Sequence, residues 1–223
     1  MRVFVTGTDT GVGKTVVSAW LALHLQARYW KPVQAGLDGE TDTKAVCRLA
    51  GLGPERIVPE VYALPEPLSP HEAARRAGQR IEMERFALPR AGAPLVVEGA
   101  GGLMVPLNEE ALVIDLVARL GLPAILVART GLGTINHTLL SIEALRARAL
   151  PLAGVVLNGP DVPHNRAAIE SYGATRVLGH IPPLNPLDRD ALAGIGLEID
   201  PAYWDLSSLP SATVQHRDSG RSR

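Results

Sequence analysis

The chain has one cysteine, Cys47, among 223 residues. An internal disulfide is therefore excluded, and the count fits a reducing compartment. Cys47 sits in an expected helix with no histidine beside it, so it reads as a small core residue. Aromatics make up only 4% of the chain. No apolar run approaches the ~20 residues of a membrane span, and because Met1 leads straight into a strand-like stretch, no signal peptide is expected. A cytoplasmic protein without a membrane partner is expected. There is no excess of basic charge. The net charge is −1, so no global field points to nucleic acid or an anionic surface. Lysine is scarce as well. Of 22 basic residues only Lys14, Lys31 and Lys44 are lysines. Where arginine serves for ordinary surface charge, a lysine carries more weight, because a compact ammonium does what a planar guanidinium does not.

What is present is an alternation. Short apolar strands are expected at Val3–Thr6, Tyr29–Gln34, Leu95–Glu98, Ala124–Ala128, Gly154–Asn158 and Val177–Ile181. Between them, amphipathic patterns predict helices near Gly13–Arg28, Thr41–Ala50, Pro70–Ala77, Met83–Arg90, Ala111–Leu120, Thr134–Ala149 and Asn165–Tyr172. Apolar strands separated by helices predict a single α/β domain with a mainly parallel, doubly wound sheet covered on both faces. The length suits one such domain, taken as residues 1–206. Proline-rich Ile57–Pro70 reads as an ordered loop. Residues 207–223, rich in Ser, Arg and Gly, read as a flexible tail.

The strongest local motif is Gly7-Thr8-Asp9-Thr10-Gly11-Val12-Gly13-Lys14-Thr15. It follows a strand and opens a helix, the setting of a phosphate-binding loop. Backbone N–H groups and the helix N-terminus bind an anion. Lys14 can reach outer phosphates, and the Thr15 hydroxyl is placed to ligate Mg²⁺. The loop is one residue longer than the general pattern. In the helix that follows, Trp20 reads as core rather than as a stacking platform.

Other constellations support a nucleotide site. Lys31-Pro32-Val33-Gln34 puts a lysine at the C-terminal end of a strand, where α/β sheets bind ligands. Asp42 opens a helix and reads equally as a first-turn acid or as a Mg²⁺ ligand. Glu98 ends an apolar strand and is followed by Gly99-Ala100-Gly101-Gly102, small residues that permit close backbone approach to phosphates. A buried glutamate calls for a nearby cation. Gly131-Leu132-Gly133-Thr134-Ile135-Asn136-His137 is a second anion-ready helix start or an ordinary strand-to-helix turn with Thr134 as cap. Asn158-Gly159 could meet an adenine edge or start a turn. Ile181-Pro182-Pro183-Leu184 reads as a rigid loop. His71, in Ser69-Pro70-His71, is the one histidine considered near chemistry, against a bland reading as a capping or surface residue.

Taken in order, the phosphate loop, Lys31-Pro32-Val33, Ser69-Pro70-His71, Glu98-Gly99-Ala100-Gly101-Gly102, Gly133-Thr134-Ile135-Asn136-His137 and Gly179-His180-Ile181-Pro182 resemble the dethiobiotin synthetases over nearly all of residues 1–185. The longer loop is the form that family uses. The resemblance implies a homodimeric parallel-sheet ligase of biotin biosynthesis. Such an enzyme closes a ureido ring on 7,8-diaminopelargonic acid with CO₂ or bicarbonate, ATP and Mg²⁺, through a carbamate and a carbamic-phosphoric anhydride. It implies that Lys14 and the amides of Thr10, Gly11, Val12 and Gly13 hold the phosphates. It places Thr15, Asp42 and Glu98 around Mg²⁺, and Gly99, Ala100 and Gly101 beside the nucleotide. Lys31 corresponds to the catalytic lysine. Asn158, Gly159, Pro182, Pro183 and Leu184 lie where the family holds adenine. Leu132, Gly133, Thr134, Ile135 and Asn136 correspond to the helix start that receives the substrate carboxylate across the dimer interface. Anionic neighbours are expected to keep both lysines protonated.

Two positions depart from the family pattern. Ala35 stands where a hydroxyl residue near the substrate amine is frequent, and Gly11 where some members carry an acid. Three competing readings remain. A ParA- or MinD-like ATPase switch would carry an additional lysine where this chain has Asp9. A cobyrinate amidase-type synthetase would add a glutaminase domain with a catalytic cysteine. An inactive nucleotide-binding scaffold would bind MgATP without turnover.

Overall fold

A computed structural model describes residues 1–90, 92 and 94–196. The expected tail at 207–223 lies outside the described residues. The chain order is β1 (Arg2–Gly7), α1 (Lys14–His24), β2 (Arg28–Trp30), β3 (Val33–Ala35), α2 (Asp42–Ala50), β4 (Ile57–Val58), β5 (Tyr62–Leu64), α3 (Pro70–Arg76), β6 (Leu95–Gly102), α4 (Val113–Leu120), β7 (Ala124–Arg129), α5 (Thr134–Ala147), β8 (Leu152–Asn158), α6 (Pro163–Gly173), β9 (Val177–Ile181) and α7 (Arg189–Ala193). Seven strands form one sheet in the order β4-β2-β6-β1-β7-β8-β9. Each pairing in it is parallel. Strands β3 and β5 make a separate parallel pair.

The continuous apolar runs explain this arrangement. Val3, Phe4 and Val5 are buried, as are Val96, Val97 and Ala124 to Ala128. Such strands need cover on both faces. On one face α1, α2 and α7 bury Trp20, Leu21, Val46, Leu49 and Leu192. On the other, α4 and the segment around α3 bury Ala73, Phe86, Ile114 and Val117. Helices α5 and α6 cover the β7–β9 end with Ile142 and Ile169. Trp20 is wholly buried, and its indole N–H donates to the Ile195 carbonyl at 3.0 Å, in keeping with a core role. Cys47 is half-buried against the same cluster.

Several boundaries differ from expectation. The segment Tyr29–Gln34 is two strands, β2 and β3, separated at Lys31-Pro32 because proline has no N–H for the ladder. Helix α1 stops at His24, since the chain reverses through Gln26 (φ 49°) to feed β2 at Arg28. The helix expected over Met83–Arg90 is one 3₁₀ turn, Met83–Arg85. Phe86 instead turns into the core against Tyr62, with ring centroids 5.8 Å apart. The Ile57–Pro70 loop is ordered and contains β4 and β5, with prolines at 59, 65, 67 and 70 flanking those strands.

β1 sits at the centre, between β6 and β7. From β1 the chain passes to β2 on one side, and from β7 to β8 on the other, which opens a crevice at the C-terminal ends of these strands.

Candidate active site

The loop between β1 and α1 turns at Gly13, whose φ of 97° is left-handed and suits glycine. A Cβ there would also run into the Asn158 side chain. This turn starts α1 at Lys14 with its N–H groups facing the crevice.

A cleft of about 670 Å³ lies at that point. Thr10, Gly11, Gly13, Lys14, Thr15, Lys31, Ala35, Asp42, Glu98, Ala100 and Gly101 line it, so eleven positions singled out in the sequence converge in one space. At its centre Thr15 donates its hydroxyl proton toward Asp42 Oδ1 (2.6 Å), with Glu98 Oε1 3.0 Å away. The Lys31 ammonium lies 2.8 Å from Asp42 Oδ2 and 3.1 Å from Glu98 Oε1, and donates to the Gly99 carbonyl at 3.0 Å. Strand order makes this possible: β6 runs between β1 and β2, with Glu98 in register with Val5. Lys31 and Glu98 are both buried, so neither charge would be tolerable without the other.

The electrostatics separate the two lysines. Burial alone would lower the Lys31 pKa, but Glu98 and Asp42 outweigh it and hold the ammonium above its ordinary value. Burial likewise works against the Asp42 carboxylate, yet Lys31 and the Thr15 hydroxyl hold its pKa below the usual range. Lys14 behaves differently. Burial, then the neighbouring Lys31 charge, lowers its pKa to about 8. Glu98, Asp42 and Asp9 offset part of that lowering, so the Lys14 ammonium still predominates at neutral pH, with a smaller margin than at Lys31. Its Nζ donates to the loop's own Asp9 carbonyl at 2.9 Å.

Thr15, Asp42 and Glu98 present hard oxygen donors, the chemistry Mg²⁺ prefers. Among the described residues no three His, Cys, Asp or Glu side chains form a metal-holding group. A cation bound here would complete its shell with phosphate oxygens and water.

The remaining sequence positions do not line the cleft. Gly99 serves packing: a Cβ there would come within 2.9 Å of the Phe4 ring. Val12 is buried beneath the loop, and its carbonyl accepts from Asn158 Nδ2 at 3.1 Å. Asn158, Gly159, Pro182, Pro183 and Leu184 lie at the ends of β8 and β9, where Gly159 N–H donates to the Ile181 carbonyl. Leu132–Asn136 lie outside the cleft at the start of α5. There Leu132 is fully exposed, while the Thr134 hydroxyl donates to the Arg129 carbonyl. His71 is exposed and does not line the cleft.

Two participants escaped the sequence reading. Tyr29 donates its buried hydroxyl to Glu98 Oε2 at 2.9 Å. Burial and the Glu98 charge push its pKa well up, so the phenol stays a donor. The available signal was spacing, since residues 29 and 31 of an extended segment point to the same side. Gln34 accepts from the Asp42 N–H at 3.2 Å and donates to the Ala35 and Gly36 carbonyls. No local pattern marks it, because its partner lies beyond a loop.

Residues 1–191 match a family described as an AAA domain. The chain is 58% identical over 193 residues to the ATP-dependent dethiobiotin synthetase BioD of Paramagnetospirillum magneticum, covering 86% of this chain and 93% of the relative. It is 56% identical to the enzyme of the same name from Rhodopseudomonas palustris, covering 86% and 91%. Among solved structures, a ParA family ATPase from Chlorobium tepidum aligns at a TM-score of 0.51 and 15% identity, covering 86% of this chain and 88% of that one, a likeness of fold alone. Identity at this level over nearly the whole described chain places it in a family: the chain belongs to the ATP-dependent dethiobiotin synthetases.

Proposed function

We propose that this chain closes a ureido ring on 7,8-diaminopelargonic acid with CO₂, coupled to conversion of ATP to ADP and phosphate. The observation that carries this reading is the convergence of Lys31, Asp42, Glu98 and Thr15 at the head of a phosphate loop. One amine of the diamine takes up CO₂ as a carbamate. A carbamate oxygen attacks the γ-phosphorus and releases ADP, leaving a carbamic-phosphoric anhydride. The second amine attacks the anhydride carbonyl, expels phosphate and closes the ring.

The work of the protein is positioning and charge stabilisation. Lys14 and the loop amides hold the β- and γ-phosphates, and Lys31 neutralises charge on the transferring group. Thr15, Asp42 and Glu98 would hold Mg²⁺, which supplies charge neutralisation at phosphate oxygens when bound. Asn158 Nδ2 is committed to the Val12 carbonyl, which leaves Oδ1 to accept from an adenine amine. The exposed glycine at position 11 and Ala35 in the cleft wall provide no polar side chain to the substrate.

We further propose that the enzyme works as a homodimer. Leu132, Met104 and Leu140 are exposed apolar side chains. Met104 and Leu140 line an apolar groove of about 390 Å³ with His137 and Ala144 on the side of α5. A second protomer covering them would bring residues 132–136 toward the substrate.

The test is phosphate release by the purified protein with MgATP and bicarbonate, with and without the diamine, and mass detection of the product. Diamine-dependent turnover with a mass gain matching one carbonyl is expected. Hydrolysis indifferent to the diamine would return the chain to the ATPase-switch reading, and nucleotide binding without turnover to the scaffold reading.

A further inference from the structure

Tyr29 poses a packing question. It lies on β2, fully buried, in the cluster that also holds Val5, Leu21, Val46 and Val96. The ring packs among these apolar side chains, a role that phenylalanine would meet as well. A buried hydroxyl without a partner is costly, so its presence calls for one. The partner is Glu98 Oε2, at 2.9 Å. The other oxygen of that carboxylate, Oε1, faces Thr15 (3.0 Å) and Lys31 (3.1 Å) at the cleft.

The two carboxylate oxygens thus have separate tasks. Oε2 is anchored from inside the sheet by a donor that does not line the cleft, and Oε1 points to the phosphate site. Glu98 is 1% exposed. Without the anchor its carboxylate can rotate about the terminal torsion, which is broad for glutamate. Both oxygens would then compete for Lys31 and Thr15. We propose that Tyr29 is a positioning residue that fixes Glu98 in the one orientation presenting a single oxygen to the cation of the nucleotide complex. This rests on the Mg-nucleotide reading of the cleft. It assigns the phenol the part that outer partners of metal-binding carboxylates play, where removal typically costs ten- to a hundredfold in metal affinity.

The test is Mn²⁺ binding to the protein–ADP complex, followed by electron paramagnetic resonance, in the parent protein, Tyr29→Phe, Glu98→Gln and the double variant. ADP binding in the presence of EDTA is measured alongside. Tyr29→Phe keeps the ring and removes only the hydroxyl. It is expected to weaken Mn²⁺ binding about tenfold while leaving metal-free ADP affinity within twofold. In the Glu98→Gln background the same change should add nothing, because the two residues act as one unit. Metal affinity unchanged in Tyr29→Phe overturns the proposal, as does an equal loss of ADP affinity in EDTA or a full additional loss in the double variant. If the parent complex itself binds no Mn²⁺, the metal reading of the cleft fails and takes the proposal with it. Unchanged Tyr29→Phe beside a parent that binds Mn²⁺ removes the proposal alone.

Discussion

Lys31 and Asp42 pair at 2.8 Å, joining the turn after β2 to the first turn of α2. The pair closes one side of the cleft and leaves the ammonium shared with Glu98. Such a lysine balances two carboxylates at rest and is already in place when charge develops on a phosphoryl group. Lys31→Ala should lower kcat by about 10²–10³ or more, the scale for losing a placed donor to developing charge. Lys31→Arg should not restore the rate, because a guanidinium fork cannot fit a position shaped for a compact ammonium. Steady-state kinetics with the diamine decide this. A Lys31→Ala enzyme within twofold of the parent would remove Lys31 from the mechanism.

Lys14 supplies a pH signature. Its pKa is lowered from 10.5 to about 8 by burial and then by the Lys31 charge. Between those values the unfolded chain holds the proton and the folded chain does not, so this group makes the folded state more stable as pH rises through that window. Nucleotide phosphates reverse the local field and favour the charged form. Binding near pH 8 should therefore draw a fraction of a proton from the buffer. Near pH 6 Lys14 is already charged, and this uptake should vanish. Calorimetry in buffers of different ionisation enthalpy measures it. Proton release at pH 8, or none, would contradict the assignment.

Gly179 on β9 offers a test of packing apart from chemistry. A Cβ there would stand 2.7 Å from the Trp20 ring, and that ring is fully buried. Gly179→Ala should cost about 1–3 kcal/mol by overpacking, lowering Tm by roughly 2–4 °C per kcal/mol. Thermal unfolding of the two proteins checks it. An unchanged Tm would mean the ring can retreat.

Much of this was readable in advance where the signal is local. Glycine spacing before Lys14 and the apolar runs at Val3–Thr6 and Ala124–Ala128 specify a strand, a loop and a helix without reference to distant residues. The strand order β2-β6-β1 was not readable that way, and it alone brings Lys31 and Tyr29 to Glu98, 67 and 69 residues away. The 83–90 segment was misread for a related reason. Its helical pattern holds in isolation, but Phe86 is worth more buried against Tyr62 than on a short exposed helix. Asp42 left two readings open, and the geometry bears out the first: it is the first residue of α2, where it also faces Thr15 and Lys31, while its part as a cation ligand belongs to the proposal.

The proposed dimer predicts a coupled loss. Leu132→Glu and Leu140→Glu place charge on an exposed apolar surface and should leave the monomer folded, since neither side chain belongs to the buried core. Together they should shift sedimentation from dimer to monomer at assay concentration and raise KM for the diamine far more than KM for ATP. A monomeric variant with unchanged diamine KM would overturn the shared-site picture.

The scarcity of lysine turns the cleft into its own chemical reporter. Of the three lysines, Lys44 is exposed while Lys14 and Lys31 are buried at the phosphate loop. An amine-directed acylating reagent held in the cleft would meet two candidates in very different states. The Lys31 Nζ is spent on Asp42, Glu98 and the Gly99 carbonyl. The Lys14 Nζ makes a single contact, to the Asp9 carbonyl, and is the less encumbered of the two. A nucleotide bearing an acyl phosphate should therefore label Lys14 ahead of Lys31, and peptide mass mapping with a free-ATP competition would turn that ratio into a direct readout of occupancy.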